Sequence, residues 1–223
     1  MSASFERVGR FGIVNCFLVS EEDGLTLIDT MIVGSAAKIM AAADGIGAPI
    51  RRIVLTHAHS DHVGSLDALA GRLPEAEILI SSREAKLLAG DKSPQPGEPD
   101  DKPKGGFPTL STEPTRTVEP GERIGSLEVI AAPGHTPGQV ALLDGRDRTL
   151  FCGDAFTTIG GVAVPSKPKL AFPLPYFATW HGPTTVRTAE ALTELTPARL
   201  APGHGKVIED PAEAMARAVA SVS

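Results

Sequence analysis

Positions 57 to 62 hold three of the chain's six histidines and one carboxylate, in the run Thr56-His57-Ala58-His59-Ser60-Asp61-His62. The run follows directly on the apolar stretch Ile53-Val54-Leu55, which reads as a buried strand feeding clustered polar groups into a loop. Imidazole nitrogen and carboxylate oxygen are the donors that zinc and other first-row divalent ions accept. Uncoordinated imidazoles this close would repel one another on gaining protons, so an accidental polar loop is the poorer reading. His57 and His59 lie two apart and point the same way from an extended segment. Asp61 and His62 approach from another side as the chain turns. Four groups on one loop hold one ion poorly but two ions well, provided that distant residues complete both shells.

The distant residues are present. His135 stands in Pro133-Gly134-His135-Thr136, Asp154 in Cys152-Gly153-Asp154, and His204 in Pro202-Gly203-His204-Gly205. Each follows a short apolar run and is flanked by glycine, which lets the backbone turn sharply beside a ligand. The succession HAHSDH, PGHTPG, FCGD and APGHG resembles the five-motif pattern of the metallo-β-lactamase superfamily of binuclear hydrolases, with Leu27-Ile28-Asp29-Thr30 resembling its first motif. The resemblance runs from about Val14 to Ile208. By position it implies that His57, His59 and His135 hold a first metal, that Asp61, His62 and His204 hold a second, and that Asp154 bridges them. It also implies an α/β fold, a four-layer αββα sandwich with the metals at one sheet edge, and a supporting role for Asp29 behind a ligand imidazole. Met31, where many relatives carry glycine after the Asp-Thr pair, and Ser65, after Asp-His-Val-Gly, depart from the pattern, which bears on the shape of those loops.

The rest of the sequence narrows the partners. At 223 residues, 42% hydrophobic and 22% charged, the chain is an ordinary globule with ample core. A formal charge of −6 without a dense Lys/Arg block makes nucleic acid and anionic membrane poor partners. Met1-Ser2-Ala3-Ser4-Phe5-Glu6-Arg7 lacks the pattern of a signal peptide, and no apolar run nears the roughly 20 residues of a membrane helix. A cytoplasmic protein with a small-molecule substrate is expected, with a homodimer as the one protein partner entertained. Cys16 and Cys152 read as buried thiols, neither disulfide nor ligand.

Taken in order, strands are expected over 11–19, 25–29, 50–55, 77–80, 127–131, 140–143, 149–152 and 199–201. Helices are expected from Ser35 to about Asp44 with Gly45 as the stop, over 62–73, over 82–89, from Thr184 as cap to Leu195, and after an Asp210 cap. One domain, 1–223, is expected, interrupted by a Pro-rich insertion at about 91–120. Its seven prolines at 94, 96, 99, 103, 108, 114 and 120 leave little room for regular structure, so it reads as a functional or mobile loop, or as a solvated excursion. A second special stretch is the aromatic loop at about 165–182. Phe172, Tyr176, Phe177 and Trp180, four of ten aromatics, sit there with His181 and read as an apolar pocket wall or a subunit interface.

The implied chemistry is hydrolysis of an ester, lactone or thioester carbonyl by a hydroxide between two divalent ions, zinc foremost and iron or manganese admitted by the donor types. The ions would also stabilise the oxyanion, with the second ion or a protonated Asp61 as the catalytic group assisting departure. A β-lactamase is disfavoured by Asp154 and by the missing export signal. A hydroxyacyl-glutathione thioesterase of the glyoxalase II kind shares the ligands, but its helical substrate domain has no counterpart in the 19 residues after His204. Acyl-homoserine lactonases share the ligands too. An iron-dependent redox enzyme on the same fold is the alternative from another class.

Overall fold

Strand pairing in the computed structural model, which describes residues 4–222, produces two sheets of six strands each. In the first, β1 (Phe5–Arg10) and β2 (Val14–Glu21) form an antiparallel hairpin and β3 (Gly24–Ile28) returns beside β2. Helix α1 (Ala36–Ile46) crosses over to β4 (Ile50–Val54), parallel to β3. The histidine loop then carries two short helices, α2 (Ser60–Val63) and α3 (Leu66–Ala70). Strand β5 (Glu77–Ser81), helix α4 (Ser82–Leu88) and, beyond the Pro-rich stretch, β6 (Arg116–Val118) complete this sheet.

The second sheet runs from β7 (Arg123–Ile124) through β8 (Leu127–Ala131), β9 (Val140–Asp144) and β10 (Thr149–Gly153). After α5 (Leu174–Ala178) and α6 (Gly182–Glu194) come β11 (Arg199–Pro202), β12 (Ile208–Glu209) and α7 (Ala212–Ala220). The strand orders are β1-β2-β3-β4-β5-β6 and β12-β11-β10-β9-β8-β7.

The layers follow from the period-2 alternation of the strands. Phe17, Ile28, Val54, Leu79, Leu142, Phe151 and Ala201 turn inward and form the core between the sheets. Their sequence neighbours face outward: Leu18, Leu27 and Ile53 pack with Ile39 of α1 and Leu66 and Leu69 of α3. On the other side, Leu143, Leu150, Cys152 and Leu200 pack with Ala189 and Leu192 of α6 and Met215 and Ala218 of α7. The result is the expected αββα sandwich. Both cysteines are buried and free, Cys16 and Cys152 each in an outer layer. Among the described residues no helix is long and apolar enough to cross a membrane. Of the stretch read as lacking a signal pattern, Met1 to Ala3 lie outside the described residues, as does Ser223.

Several expected boundaries move. The strand expected over 11–19 is a hairpin, because Phe11 and Gly12 take left-handed φ of 57° and 69° and turn the chain before Val14. The helix expected over 62–73 breaks in two at Gly64-Ser65, where Gly64 lies against the backbone of Ile32 and Val33, too close for a Cβ. Gly47, at φ 80°, ends α1 instead of Gly45. The cap of α6 is His181, whose Nδ1 accepts from the Thr184 amide, and Pro211 rather than Asp210 stands at the start of α7. Met31 takes φ 57° where glycine is common in the resembling pattern, and Ser65 accepts from the Ser35 amide at 2.8 Å while donating to the Ile32 carbonyl at 2.7 Å. Both departures are thus absorbed in the loop that seats Asp29.

Phe151 is the largest inward side chain of the second sheet, with ring centroids 5.2 Å from Phe5 and 5.1 Å from Phe17. Phe151→Ala is expected to cost about 3–5 kcal/mol of stability, read from urea unfolding as a lowered midpoint at unchanged slope.

Candidate metal centre

The strand ends bring seven side chains to one point. His57, His59, Asp61 and His62 follow β4, His135 lies between β8 and β9, Asp154 follows β10 and His204 follows β11. Their donor atoms group within 4.8 Å as His57-His59-His135, as His57-His62-Asp154 and as Asp61-His62-His204. Asp154 stands between the outer groups, with Oδ2 3.4 Å from His135 Nε2 and 3.1 Å from His204 Nε2, and Oδ1 3.3 Å from His62 Nε2. All seven are buried except Asp61, whose side chain is 36% exposed. The sequence reading named all seven.

The outer nitrogens of the five imidazoles decide what the inner ones can do. His62 Nδ1 donates to Asp29 Oδ2 at 2.7 Å, and His204 Nδ1 donates to the Ile13 carbonyl at 3.1 Å. His59 Nε2 donates to the Lys104 carbonyl at 2.8 Å, since a carbonyl oxygen only accepts. The Thr179 hydroxyl donates to the Pro175 carbonyl at 2.8 Å and therefore accepts from His135 Nδ1 at 3.0 Å. The Thr56 hydroxyl donates to Asp29 and likewise accepts from His57 Nδ1 at 3.0 Å. Each neutral ring is therefore fixed in the tautomer whose bare lone pair points inward. His59 Nδ1 and His135 Nε2 face each other at 3.0 Å in this state, and His57 Nε2, His62 Nε2 and Asp154 Oδ1 are buried without a hydrogen-bond partner. Five inner imidazole nitrogens and two carboxylates aimed at one volume fit divalent cations, which would displace the protons that His62 and His204 hold.

Burial drives the His57 and His59 imidazoles below their ordinary pKa and takes His135 down to about 3. Burial opposes the charged forms of His62 and His204 too, but the Asp154 carboxylate outweighs it, raising His62 well above the ordinary range and pushing His204 up to about 9. Burial raises Asp61 and Asp154, yet His204 and His62 hold both below the usual carboxylate range. His62 and His204 are thus where protons compete with a cation, so metal affinity falls as pH falls.

Asp29 sits at the end of β3 with φ 61° and accepts from the Thr56 amide at 2.8 Å, from the Thr56 hydroxyl and from His62. One supporting residue escaped sequence reading. Glu84, on α4, is fully buried and accepts from the Ala58 amide and from the Gly138 amide, both at 2.8 Å. It joins the loop of His57 and His59 to the loop of His135. Nothing in its local sequence marks it beyond a helix first-turn carboxylate. Burial raises its pKa, against the two amide bonds.

A cavity of about 290 Å³ opens onto the cluster. His59, Asp61, His135, Asp154 and His204 form its floor, and Phe11, Ile13, Ile32, Phe172, Leu174 and Pro175 lead its walls. This corrects the expected pocket. Of the five residues nominated there, Phe172 lines the cavity, its ring 5.1 Å from that of His204. Tyr176 and Phe177 pack on each other and stay exposed, outside the wall. Trp180 is buried behind the site, where its Nε1 donates to the Asp101 carbonyl at 2.6 Å, and His181 caps α6. Residues 174–178 form α5, so their apolar contribution to the cavity comes from Leu174, Pro175 and Ala178 rather than from the larger rings. The turn between β1 and β2 supplies walls that no motif announced.

Residues 9–204 match the sequence profile described as the metallo-beta-lactamase superfamily. The chain is 47% identical over 207 residues to "Uncharacterized protein YobT" of Bacillus subtilis (strain 168), covering 92% of this chain and 89% of that one. It is 31% identical over 212 residues to "Probable metallo-hydrolase YflN" of the same organism, covering 84% and 78%. Among solved structures, TTHA1623 in a di-iron-bound form superposes with a TM-score of 0.69 at 26% identity, covering 95% of this chain and 97% of that one.

Asp29→Asn keeps a side chain that tolerates left-handed φ but loses an acceptor for Thr56 or His62. Zn²⁺ affinity is expected to fall about 10–100-fold in chelator competition, with circular dichroism unchanged. Glu84→Ala leaves the buried Ala58 amide and the half-buried Gly138 amide unpartnered and is expected to cost about 2–3 kcal/mol in urea unfolding.

Proposed function

The chain belongs to the metallo-β-lactamase superfamily, and from that premise we propose that it is a metal-dependent hydrolase of an uncharged ester or lactone. The observation that carries the hydrolase reading is the convergence of five inward imidazole nitrogens with Asp61 and Asp154 at the floor of an apolar cavity. In this reading His57, His59 and His135 hold one divalent ion, Asp61, His62 and His204 hold the other, and Asp154 serves both. Such ions, when bound, supply Lewis acidity towards a carbonyl and lower the pKa of water to about 7.

The chain's own groups set what reaches that floor. Phe11, Ile13, Ile32, Phe172, Leu174 and Pro175 hold the substrate body by apolar contact and exclude water around the reacting carbonyl. No lysine or arginine lines the cavity among the described residues. A carboxylate on the part of the substrate held by the walls would therefore be desolvated without a partner, which supports a neutral ester or lactone over a glutathione thioester or a carboxylate-bearing β-lactam. Asp61 is held ionised beside His204 and so carries no proton to give a leaving group, which disfavours the protonated Asp61 that the sequence admitted as one of two groups assisting departure. His204, its Nδ1 tied to the Ile13 carbonyl, keeps Asp61 at the cavity floor.

Zinc is the ion proposed, with iron as the second reading on account of the di-iron form of TTHA1623. The cytoplasmic setting and a single small-molecule partner are part of the same proposal.

The test is a hydrolysis panel of γ-lactones, neutral aryl esters, their carboxylated counterparts, glutathione thioesters and β-lactams, with metal content measured on the same sample. Neutral esters or lactones are expected to exceed carboxylated counterparts at least tenfold in kcat/KM, since leaving a carboxylate unpaired costs more than the ~1.4 kcal/mol of a tenfold ratio. Asp154→Ala and His59→Ala should remove turnover while the fold persists. Full turnover in both variants would overturn the assignment.

A further inference from the structure

The Pro-rich stretch between α4 and β6 is tied down at both ends and in its middle. Near its start, Glu98 receives the Arg83 guanidinium at 2.6 and 3.1 Å. Near its end, the Ser111 and Thr112 amides donate to Asp67 of α3 at 3.0 and 2.9 Å. Its middle lies on the metal centre. The Lys104 carbonyl accepts from His59 Nε2 at 2.8 Å, the Gly106 carbonyl accepts from the Ser60 amide at 2.8 Å, and the Phe107 ring stands 4.9 Å from the His59 ring. Gly105 takes φ 89° against the outer edge of that ring, where any Cβ would collide with it. Behind this contact, Trp180 Nε1 donates to the Asp101 carbonyl at 2.6 Å and the Lys104 ammonium donates to the Trp180 carbonyl at 3.3 Å. The Trp180 amide in turn donates to the His135 carbonyl at 2.9 Å.

We infer that this segment, residues 99–107, is a working part of the metal centre: its Lys104 carbonyl positions His59 for metal binding, and Trp180 holds the segment in place. The reasoning is one of proton placement. Of the five imidazoles, His59 alone faces inward through Nδ1, the nitrogen next to its own backbone, so its far nitrogen points outward and needs an acceptor from outside the strands. A carbonyl there forces the proton onto Nε2 and frees Nδ1. Without it, the facing nitrogens of His59 and His135 could share a proton, leaving a hydrogen bond where a cation should sit. A glycine pair at 105–106 is what allows backbone to come within bonding distance of an imidazole. Trp180 was expected in the pocket wall; its place behind the segment gives it this other task. The inference rests on the proposed metal centre but not on any particular substrate.

The test uses the full chain, stripped and titrated with Zn²⁺ against a chelator, and separately loaded with Co²⁺ as a visible-absorption probe. Gly105→Ala pushes the carbonyl off the ring from an exposed position. Trp180→Phe removes only the indole donor. Glu113→Ala, exposed and in the same Pro-rich stretch but outside residues 99–107, is the control and should match wild type. Both test variants are expected to bind at least one equivalent of Zn²⁺ about tenfold or more weakly and to change the Co²⁺ band, with an unfolding midpoint for Gly105→Ala near that of wild type. If Trp180→Phe does not fold, Gly105→Ala decides alone. Wild-type affinity and an unchanged Co²⁺ band in Gly105→Ala overturn the inference. If the wild-type chain itself takes up no Zn²⁺, the metal centre fails and the inference with it; if it takes up Zn²⁺ but cleaves no ester or lactone, only the substrate proposal fails.

Discussion

Five imidazoles whose outer nitrogens are each committed to an acceptor can turn their inner nitrogens only to the centre, as lone pairs for a cation or, at His62 and His204, as N–H groups toward Asp154. That commitment is the condition on which the site depends. A neutral imidazole free to exchange tautomers would present an N–H inward half the time, and neighbouring rings would then satisfy one another by hydrogen bonds. Here the acceptors are two carbonyls, at Ile13 and Lys104, the Asp29 carboxylate, and two threonine hydroxyls whose own protons are already given away. Threonine at 56 and 179 is used as an acceptor only because Asp29 and the Pro175 carbonyl each take its proton. Each inward lone pair therefore needs two groups behind it at these positions, not one.

The sandwich makes such a collection of acceptors affordable in chain length. Asp29 and Thr56 lie at adjacent ends of the parallel strands β3 and β4, so one carboxylate reaches both His57, through Thr56, and His62. Gly203 and Gly153 at the ends of β11 and β10 are joined by a backbone bond of 2.9 Å, which sets His204 beside Asp154. The two sheets are stitched where the site lies: the Val140 amide of one donates to the Thr56 carbonyl of the other at 3.0 Å, and the Asn15 side chain donates to the Pro202 and Gly205 carbonyls. Glu84 adds a third stitch with its two amides. Local backbone geometry and ligand geometry are the same set of bonds, which is why glycine recurs next to the ligands.

How much of this could be read from the residues depends on whether the information was local. The seven candidate ligands were legible because each sits in a short motif whose donors are adjacent or flanked by glycine after an apolar run. The layers came from the resemblance of the motifs, since strands such as Val140–Asp144 and Thr149–Gly153 are buried on both faces and give no alternation to read. The hairpin turn at Phe11-Gly12 was missed, since a phenylalanine at φ 57° gives no composition cue, and the strand reading ran through it. Glu84 was invisible for a different reason: its partners are main-chain amides 26 and 54 residues away, with no side-chain pattern to betray them. The aromatic stretch misled because aromatic density announces burial or contact, not direction. Phe172 faces the cavity, Trp180 turns to the rear, and Tyr176 with Phe177 remains at the surface.

The left-handed turn at Gly153 (φ 51°), which ends β10 just before Asp154, also decides which chemistry the centre can hold. Cys152 lies two residues before Asp154, close enough in sequence to offer a thiolate to the same ions. It faces instead into the layer beneath α6 and α7, and its thiol is pushed far up by burial. The donor set is therefore nitrogen and oxygen throughout, a borderline-to-hard environment that suits zinc, iron or manganese and does not by itself choose among them. Choice between hydrolysis and redox chemistry then falls to the cavity. A redox reaction that draws electrons from a thiol or a second cofactor needs polar anchoring for that partner, and the described walls offer apolar side chains with only the cluster itself as polar floor. A neutral carbonyl compound needs no such anchor. On the proposed reading, the walls hold its apolar body and the reacting group meets the one polar surface within reach.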